Sequence, residues 1–301
     1  MGAVSEPLIQ WFELNRRLLP FRQEPSAYHI WVSEIMLQQT RVSAALPYYE
    51  RFVAELPDPA ALAACDPDKL RKLWQGLGYY SRVANMQKAA QIVCRQYGGQ
   101  LPADYAALRA LPGIGDYTAG AIASIAFGIP APAVDGNVLR VAARVTGDEG
   151  DIAAPATKKR VTAALAEIIP LDAPGYFNQA MMELGATVCL PNGAPLCDLC
   201  PARAFCTARL TGRTGQLPVK AAKKARRVEE RTVFLVFHEN RVALRRRPGR
   251  GLLAGLWEYP NELSPAGDAL ARWGIAPASL RSAGTGKHIF THIEWRMSAL
   301  A

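Results

Sequence analysis

The sequence predicts a mainly α protein in two parts, a long helical domain followed by a smaller α+β unit. Three observations carry this reading. From residue 6 to about 185, apolar residues recur at helical spacing between short Gly/Pro breaks, with no strand alternation of any length. From Thr232 the texture changes to short runs rich in β-branched and aromatic residues. Between the two, "RTGQLPVKAAKKARRVEER" is polar, basic and proline-containing, the composition of a linker. The expected organisation is a helical domain over 1–212, a linker over 213–231 and a smaller domain over 232–301.

Within the helical part, "AYHIWVSEIMLQQTRVSAAL" reads as one helix, "PDKLRKLWQGLG" as a second and "SRVANMQKAAQIVCRQYG" as a third. "LPGIG" is a turn, and "DYTAGAIASIAFG" after it is apolar on all sides and closed by Gly128 and Pro130. Apolarity all round marks a buried central helix. In the second part, "RTVFLVFHENRVALRRR" reads as two strands joined across "HEN", a hairpin.

The chain has 301 residues, about half of them apolar, enough to bury a large core without disulfides. Its net charge of +9 suggests a polyanionic partner, nucleic acid or an acidic membrane surface, with plain solubility as the bland alternative. No apolar run approaches the roughly 18 residues a membrane span needs. The N-terminus has neither a secretory pattern nor, with Glu6 in place of Ser or Thr, a myristoylation signal. The expected setting is intracellular, so the six cysteines read as thiols or metal ligands.

Four of them, Cys189, Cys197, Cys200 and Cys206, form a C-x7-C-x2-C-x5-C cluster. Such a group binds a soft metal centre, tetrahedral zinc or an iron–sulfur cluster. Structural zinc usually draws on two close pairs, and only Cys197 and Cys200 make one, which favours iron–sulfur. Cys65 and Cys94 each stand alone in helical sequence and read as core residues.

Read on its own, "LPGIGDYTAG" offers backbone N–H groups at a helix N-terminus, where a phosphate binds readily. Together with "WVSEIMLQQTRV", "GLGYYSR", "AVDGNVLRVAAR", "NQAMMELGATVC" and the cysteine cluster after them, it resembles the helix-hairpin-helix DNA glycosylases, and within them the MutY family. The resemblance runs from about Leu19 into the C-terminal unit. It implies a monomeric, cytoplasmic and nucleoid-associated enzyme of base excision repair. Such an enzyme removes adenine opposite 8-oxoguanine or guanine in double-stranded DNA and carries a 4Fe-4S cluster on the four cysteines. It also implies a C-terminal MutT-like domain that reads the lesion. Two features depart from the family. The first cysteine gap is seven residues rather than six, and the MutT-like unit stops early, as if cut short or reduced.

Removing a base requires an acid for the leaving group and a negative charge near the oxocarbenium-like sugar. Glu34 lies among apolar neighbours, where burial would keep it protonated, although alone it would read as a solvent-facing helix residue. The resemblance makes it the acid, donating to adenine N7. Asp135 reads blandly as an N-cap and by resemblance as the second carboxylate, which stabilises the sugar cation or attacks it to form a transient covalent adduct. Asn137 reads as a turn residue and by resemblance helps position the reacting centre. By resemblance Tyr117 occupies the place where strand-cleaving relatives carry lysine; a phenol forms no Schiff base, so base removal without strand scission is expected. Its hydroxyl is expected to bond near the reacting sugar or to Asp135, with a core aromatic as the bland alternative.

The target base must also leave the duplex. By resemblance Gln39 and Tyr79 wedge into the DNA, while Arg22 and Gln179 surround the adenine pocket. Gly113 and Gly115 of the hairpin are expected to hold a backbone phosphate, and Lys220, Lys223, Lys224, Arg226 and Arg227 to follow the strand, with a merely solvated segment as the bland alternative. Phe290, Thr291 and His292 in "IFTHIEW" resemble the family's Phe-Ser-His lesion-reading loop, with Thr in place of Ser. The unit lacks the closely spaced acidic run that a nucleotide hydrolase needs for magnesium, so a reading role is expected. The competing expectations are a glycosylase for mismatched thymine or uracil and a non-catalytic lesion-binding protein.

Overall fold

The computed structural model describes residues 2–23, 25–222 and 225–301. Lys223 and Lys224 of the basic segment lie outside the described residues. The chain divides into two compact units, Met1–Ala221 and Ala222–Ala301.

The first unit is helical throughout its described residues, as the periodicity requires. It runs α1 (Ser5–Asn15), α2 (Pro20–Gln23), α3 (Ala27–Leu37), α4 (Val42–Glu55), α5 (Pro59–Ala64), α6 (Pro67–Leu73) and α7 (Ser81–Gln96). It continues with α8 (Tyr105–Ala110), α9 (Asp116–Phe127), α10 (Gly136–Thr146), α11 (Pro155–Ala166), α12 (Pro174–Thr187) and α13 (Thr207–Leu210). Local chemistry sets many of the boundaries. Asp58, Asp66, Asp104 and Asp135 accept from backbone N–H groups as N-caps, and left-handed Gly128 and Gly147 close α9 and α10.

Two hydrophobic cores share this unit. One gathers α3 to α9 around Trp31, Phe52 and Trp74, all fully buried. The other joins α1 to α10, α11 and α12 around Phe12, Phe177 and Leu184. The N-terminal helix thus closes the C-terminal half. As its all-round apolarity predicts, α9 is central: it packs on both α3 and α12, with Thr118–Ser124 buried.

One expected helix is two. "AYHIWVSEIMLQQTRVSAAL" breaks after Leu37, because Gln39 adopts φ +61° and Arg41 is extended before α4 begins. No Gly or Pro marks the break. The last carbonyls of α3 are instead taken by a side chain from another helix, Arg82 on α7.

The second unit holds β1 (Arg227–Phe234), β2 (Phe237–His238), β3 (Arg241–Val242), β4 (Arg245–Arg246), β5 (Trp257–Glu258), β6 (Asn261–Leu263), α14 (Ala269–Arg272), β7 (Ser282–Ile289) and β8 (Ile293–Leu300). Its main sheet has the order β6-β1-β8-β7, with β1 parallel to β8 and the other pairs antiparallel. The expected hairpin is confined to β2 and β3, turning at Glu239 and Asn240. The first run belongs instead to β1, an interior strand whose Thr232 and Phe234 are buried. β1 starts inside the segment read as a linker.

Candidate active site

A cleft of about 870 Å³ opens where the two cores of the first unit meet. Glu34, on α3, lines it and is only 8% exposed. Its partner is Tyr117 in the first turn of α9, whose hydroxyl donates to Glu34 Oε2, the acid candidate rather than the expected Asp135, and lies 3.2 Å from Met182 Sδ. Burial pushes the Glu34 carboxyl up to about 7, with the nearby Asp135 carboxylate adding to the rise. The Tyr117 hydrogen bond and the Arg22 charge act the other way. Burial beside the two carboxylates also raises the Tyr117 phenol well above its ordinary value, so it remains a neutral donor.

Asp135 enters the same cleft as the N-cap of α10. Its Oδ1 accepts from the Val138 N–H at 2.8 Å and its Oδ2 from Asn137 Nδ2 at 2.8 Å. Asn137 is fixed in turn, since its Oδ1 accepts from Arg140 Nη2 at 2.8 Å. Arg140 also donates to the Gly185 carbonyl at 2.7 Å and the Cys189 carbonyl at 2.8 Å. Helix α12 can approach Asn137 because residue 185 is glycine; a Cβ there would stand 2.5 Å from Asn137 Cβ. The cap alone would hold Asp135 low, but burial outweighs it and lifts the carboxyl above its ordinary value. The hydrogen bonds and the Arg140 charge oppose that rise.

Arg22, Gln39 and Gln179 line the cleft too. Arg22 is held by Glu183 at 2.8 Å, and Glu183, 1% exposed, also accepts a forked pair of bonds from Arg17 at 2.6 and 2.9 Å. Two guanidinium partners hold the Glu183 carboxyl below its ordinary value despite burial. Gln179 donates back to the Gly175 carbonyl of its own helix at 3.3 Å. Tyr79 stands outside this lining, exposed on the turn before α7. The turn 112–115 leads into α9, with Gly113 at φ +80° above Asn85 and Gly115 at the N-cap. The Ile114 N–H is used within the turn, donating to the Leu111 carbonyl at 3.1 Å.

Cys189, Cys197, Cys200 and Cys206 line one small cavity together with Val141, Leu184 and Arg144. Arg144 Nη1 lies 3.3 Å from Cys189 Sγ. Among the described residues, no three His, Cys, Asp or Glu side chains are grouped to hold a metal ion. In the second unit, Phe290, Thr291 and His292 form the tip between β7 and β8, where the Phe290 N–H donates to the Ile293 carbonyl at 2.8 Å. The Phe290 ring packs edge-on against Trp295, centroids 5.0 Å apart.

Three residues of this network are missing from the sequence reading: Arg17, Glu183 and Arg140. Helical spacing could have flagged two of them. Glu183 lies four residues after Gln179, and Arg140 three after Asn137, so each pair shares a helix face.

Comparison with known proteins matches residues 32–171 to the HhH-GPD superfamily of base excision DNA repair proteins and residues 232–301 to the NUDIX domain. The chain is 35% identical to the adenine DNA glycosylase of Homo sapiens, over 97% of this chain and 65% of that protein, so it spans about two thirds of that relative. It is 35% identical to the mouse adenine DNA glycosylase, over 97% of this chain and 69% of that protein. The corresponding Buchnera aphidicola enzyme, from the Acyrthosiphon pisum strain, is 34% identical over 85% of this chain and 73% of that protein. Among solved structures, a thermostable thymine-DNA glycosylase aligns with TM-score 0.63 and 25% identity, over 69% of this chain and 96% of that one. An endonuclease III trapped covalently on DNA aligns with TM-score 0.58 and 24% identity, over 70% of this chain and 95% of that one, a likeness of fold. No helix among the described residues is long and apolar enough to cross a membrane. With the cleft, its two carboxylates and relatives of this kind, the chain belongs to the adenine DNA glycosylase family, DNA glycosylases of base excision repair on a helix-hairpin-helix fold.

Proposed function

We propose that this protein removes adenine paired with 8-oxoguanine, and with guanine, from double-stranded DNA without cutting the strand. The observation that carries the proposal is the pair of cleft carboxylates with unlike surroundings. Glu34 sits in an apolar wall with one phenol as its hydrogen-bond partner, and its carboxyl is pushed up to about 7. Burial raises Asp135 as well, but a backbone N–H and a carboxamide hold it and oppose that rise by favouring its charged form. A buried carboxyl with one phenol partner suits the acid, and one held by fixed donors suits the charge stabiliser.

In this reading the flipped adenine enters the cleft and Glu34 delivers its proton to N7 as the glycosidic bond breaks. The electron pair of that bond leaves with the base. Asp135 then faces the positive sugar, and Asn137, braced by Arg140, keeps the carboxylate aimed. A water molecule completes the hydrolysis. Tyr117 orients Glu34 and offers no amine, so no Schiff base forms and the abasic strand stays intact.

Cys189, Cys197, Cys200 and Cys206 would hold the 4Fe-4S cluster. The shared cavity and the Arg144 cation beside Cys189 sulfur suit an anionic thiolate centre. When bound, such a cluster ties together the loop that follows α12. Phe290, Thr291 and His292 would contact the 8-oxoguanine strand from their exposed turn.

Single-turnover release from duplexes carrying A:8-oxoguanine, A:G, T:G and U:G tests the reading, with the strand checked for breaks before and after alkali. Adenine release from the first two, and breaks only after alkali, is expected. Release of thymine or uracil alone would favour the chemistry named for the thymine-DNA glycosylase neighbour and overturn the proposal.

A further inference from the structure

Gln39 and Tyr79 lie forty residues apart, yet they share an unusual backbone. Gln39 has φ +61° and Tyr79 φ +47°, left-handed conformations that cost an ordinary L-residue about 1–2 kcal/mol. Such conformations persist only where the surroundings impose them. In both places one guanidinium supplies the constraint. Arg82, in the first turn of α7, donates through Nη1 to the carbonyls of Ile35 and Gln38, each at 2.7 Å. Through Nη2 it donates to the carbonyls of Leu77 at 3.1 Å and Gly78 at 3.4 Å.

One nitrogen therefore closes the end of α3 just before Gln39, and the other closes the turn just before Tyr79. The planar group also lies over two rings, Trp74 at 5.3 Å and Tyr79 at 5.5 Å from their centroids. Trp74 is fully buried and itself donates from Nε1 to the Gly78 carbonyl at 3.0 Å. The turn is tight elsewhere: Gly76 has φ +106°, and a Cβ there would stand 2.1 Å from the Tyr48 hydroxyl. Only a fork with several fixed donors can serve two turns at once; a lysine ammonium can neither span them nor stack in the same way.

We propose that Arg82 is a positioning residue that joins the Gln39 and Tyr79 turns into a single rigid wedge for opening the duplex. This rests on the proposed function and on the DNA-inserting role that the family resemblance implies for those two residues. Arg82 acts through the backbone of both and touches neither the adenine pocket nor the carboxylates. With the bridge intact the two side chains enter the duplex together and in a set spacing. Without it each turn relaxes toward ordinary backbone angles and the pair loses its register.

The test is a double-mutant cycle on single-turnover adenine release from an A:8-oxoguanine duplex, using full-length protein. Single-turnover rates report only the folded, DNA-bound fraction, so partial loss of stability does not imitate the effect. The variants are Arg82→Lys, Tyr79→Ala, Gln39→Ala and the two doubles that contain Arg82→Lys. Trp74→Phe serves as a milder loosening of the Tyr79 turn should Arg82→Lys not fold, and it enters the same cycle.

Each single change should slow release, with Arg82→Lys on the order of ten- to a hundredfold slower. The doubles should be scarcely slower than the slower single, because the bridge acts through the residues already removed. Effects that multiply would make Arg82 an independent structural or DNA-contacting residue and overturn the inference, as would an Arg82→Lys rate equal to the parent's. If Tyr79→Ala and Gln39→Ala leave the rate unchanged, the wedge reading itself fails and the inference falls with it.

Discussion

The carboxylate pocket and the turns at Gln39 and Tyr79 are unusual in opposite ways. Glu34 and Asp135 have ordinary backbone: one lies inside a helix and the other caps one. Their surroundings set them apart, through burial and a few fixed hydrogen bonds. Gln39 and Tyr79 have the reverse character, with side chains at or near the surface on backbone that non-glycine residues seldom adopt. In the proposed reaction the pocket has to hold charge, whereas a wedge has to keep its shape when pushed against stacked bases. Low dielectric serves the first need and a constrained backbone the second.

The comparison breaks most sharply at Glu34. Glu34→Gln keeps the shape of the side chain and its contact with Tyr117 but has no acidic proton. Adenine release should fall by about 10²–10⁴-fold, the usual contribution of a positioned acid, while duplex binding stays within a few-fold. Single-turnover release and gel-shift titration on the same duplex separate the two readouts. An unchanged rate would remove Glu34 from the chemistry. Asp135→Asn should come next, about 10²–10³-fold slower, because the amide can cap α10 but no longer faces the sugar with a full charge.

Glycine substitutions probe the supports of each region. Gly185→Ala drives a methyl group into Asn137 and should cost about 1–3 kcal/mol of stability by overpacking, with slower release. Gly76→Ala meets both the Tyr48 hydroxyl and a φ of +106°, so a loss of similar size is expected there. Denaturant unfolding measures the cost in each case. The regions then separate by pH: Gly185→Ala should distort the pH profile of release through Asn137 and Asp135, and Gly76→Ala should lower the rate uniformly. A uniform loss in both would mean that the pocket and the turn are not distinct supports.

Periodicity and capping made the helical unit legible, because α7, α9 and α10 are built from local signals: apolar spacing, Asp135, and the glycines that end α9 and α10. The break between α3 and α4 left no such trace. The side chain that takes the carbonyls beside it is Arg82, some forty residues away, and no residue type at 38–41 announces it. β1 was hidden for the same reason. Its partners are β6 and β8, supplied by the far end of the unit, so the nearby run 237–242 looked like its natural mate. Glu34 shows the limit most plainly. α3 is buried on nearly every face, so a carboxylate within it has no polar side to occupy, yet its own sequence fits a solvent-facing residue equally well. The family resemblance supplied the choice that periodicity could not.

The smallest effect concerns the contact between Tyr117 and Glu34. Burial raises the Glu34 carboxyl from 4.5 to about 7, so the folded protein binds a proton there that the unfolded chain releases at lower pH. The contribution to stability is therefore full below about 4.5 and is lost as pH rises through about 7. Adenine release should fall over the same upper range, by about tenfold per pH unit once the acid is ionised. Tyr117→Phe removes a hydrogen bond that favours the carboxylate, so Glu34 should hold its proton to higher pH. The alkaline limb of the pH–rate profile should move upward by up to about one unit, and the midpoint of the stability loss should move with it. Strand scission should remain absent, because phenylalanine adds no amine. A limb that moves without the stability midpoint would assign the titration to DNA or to Asp135, whereas movement of both ties it to the buried carboxyl that Tyr117 touches.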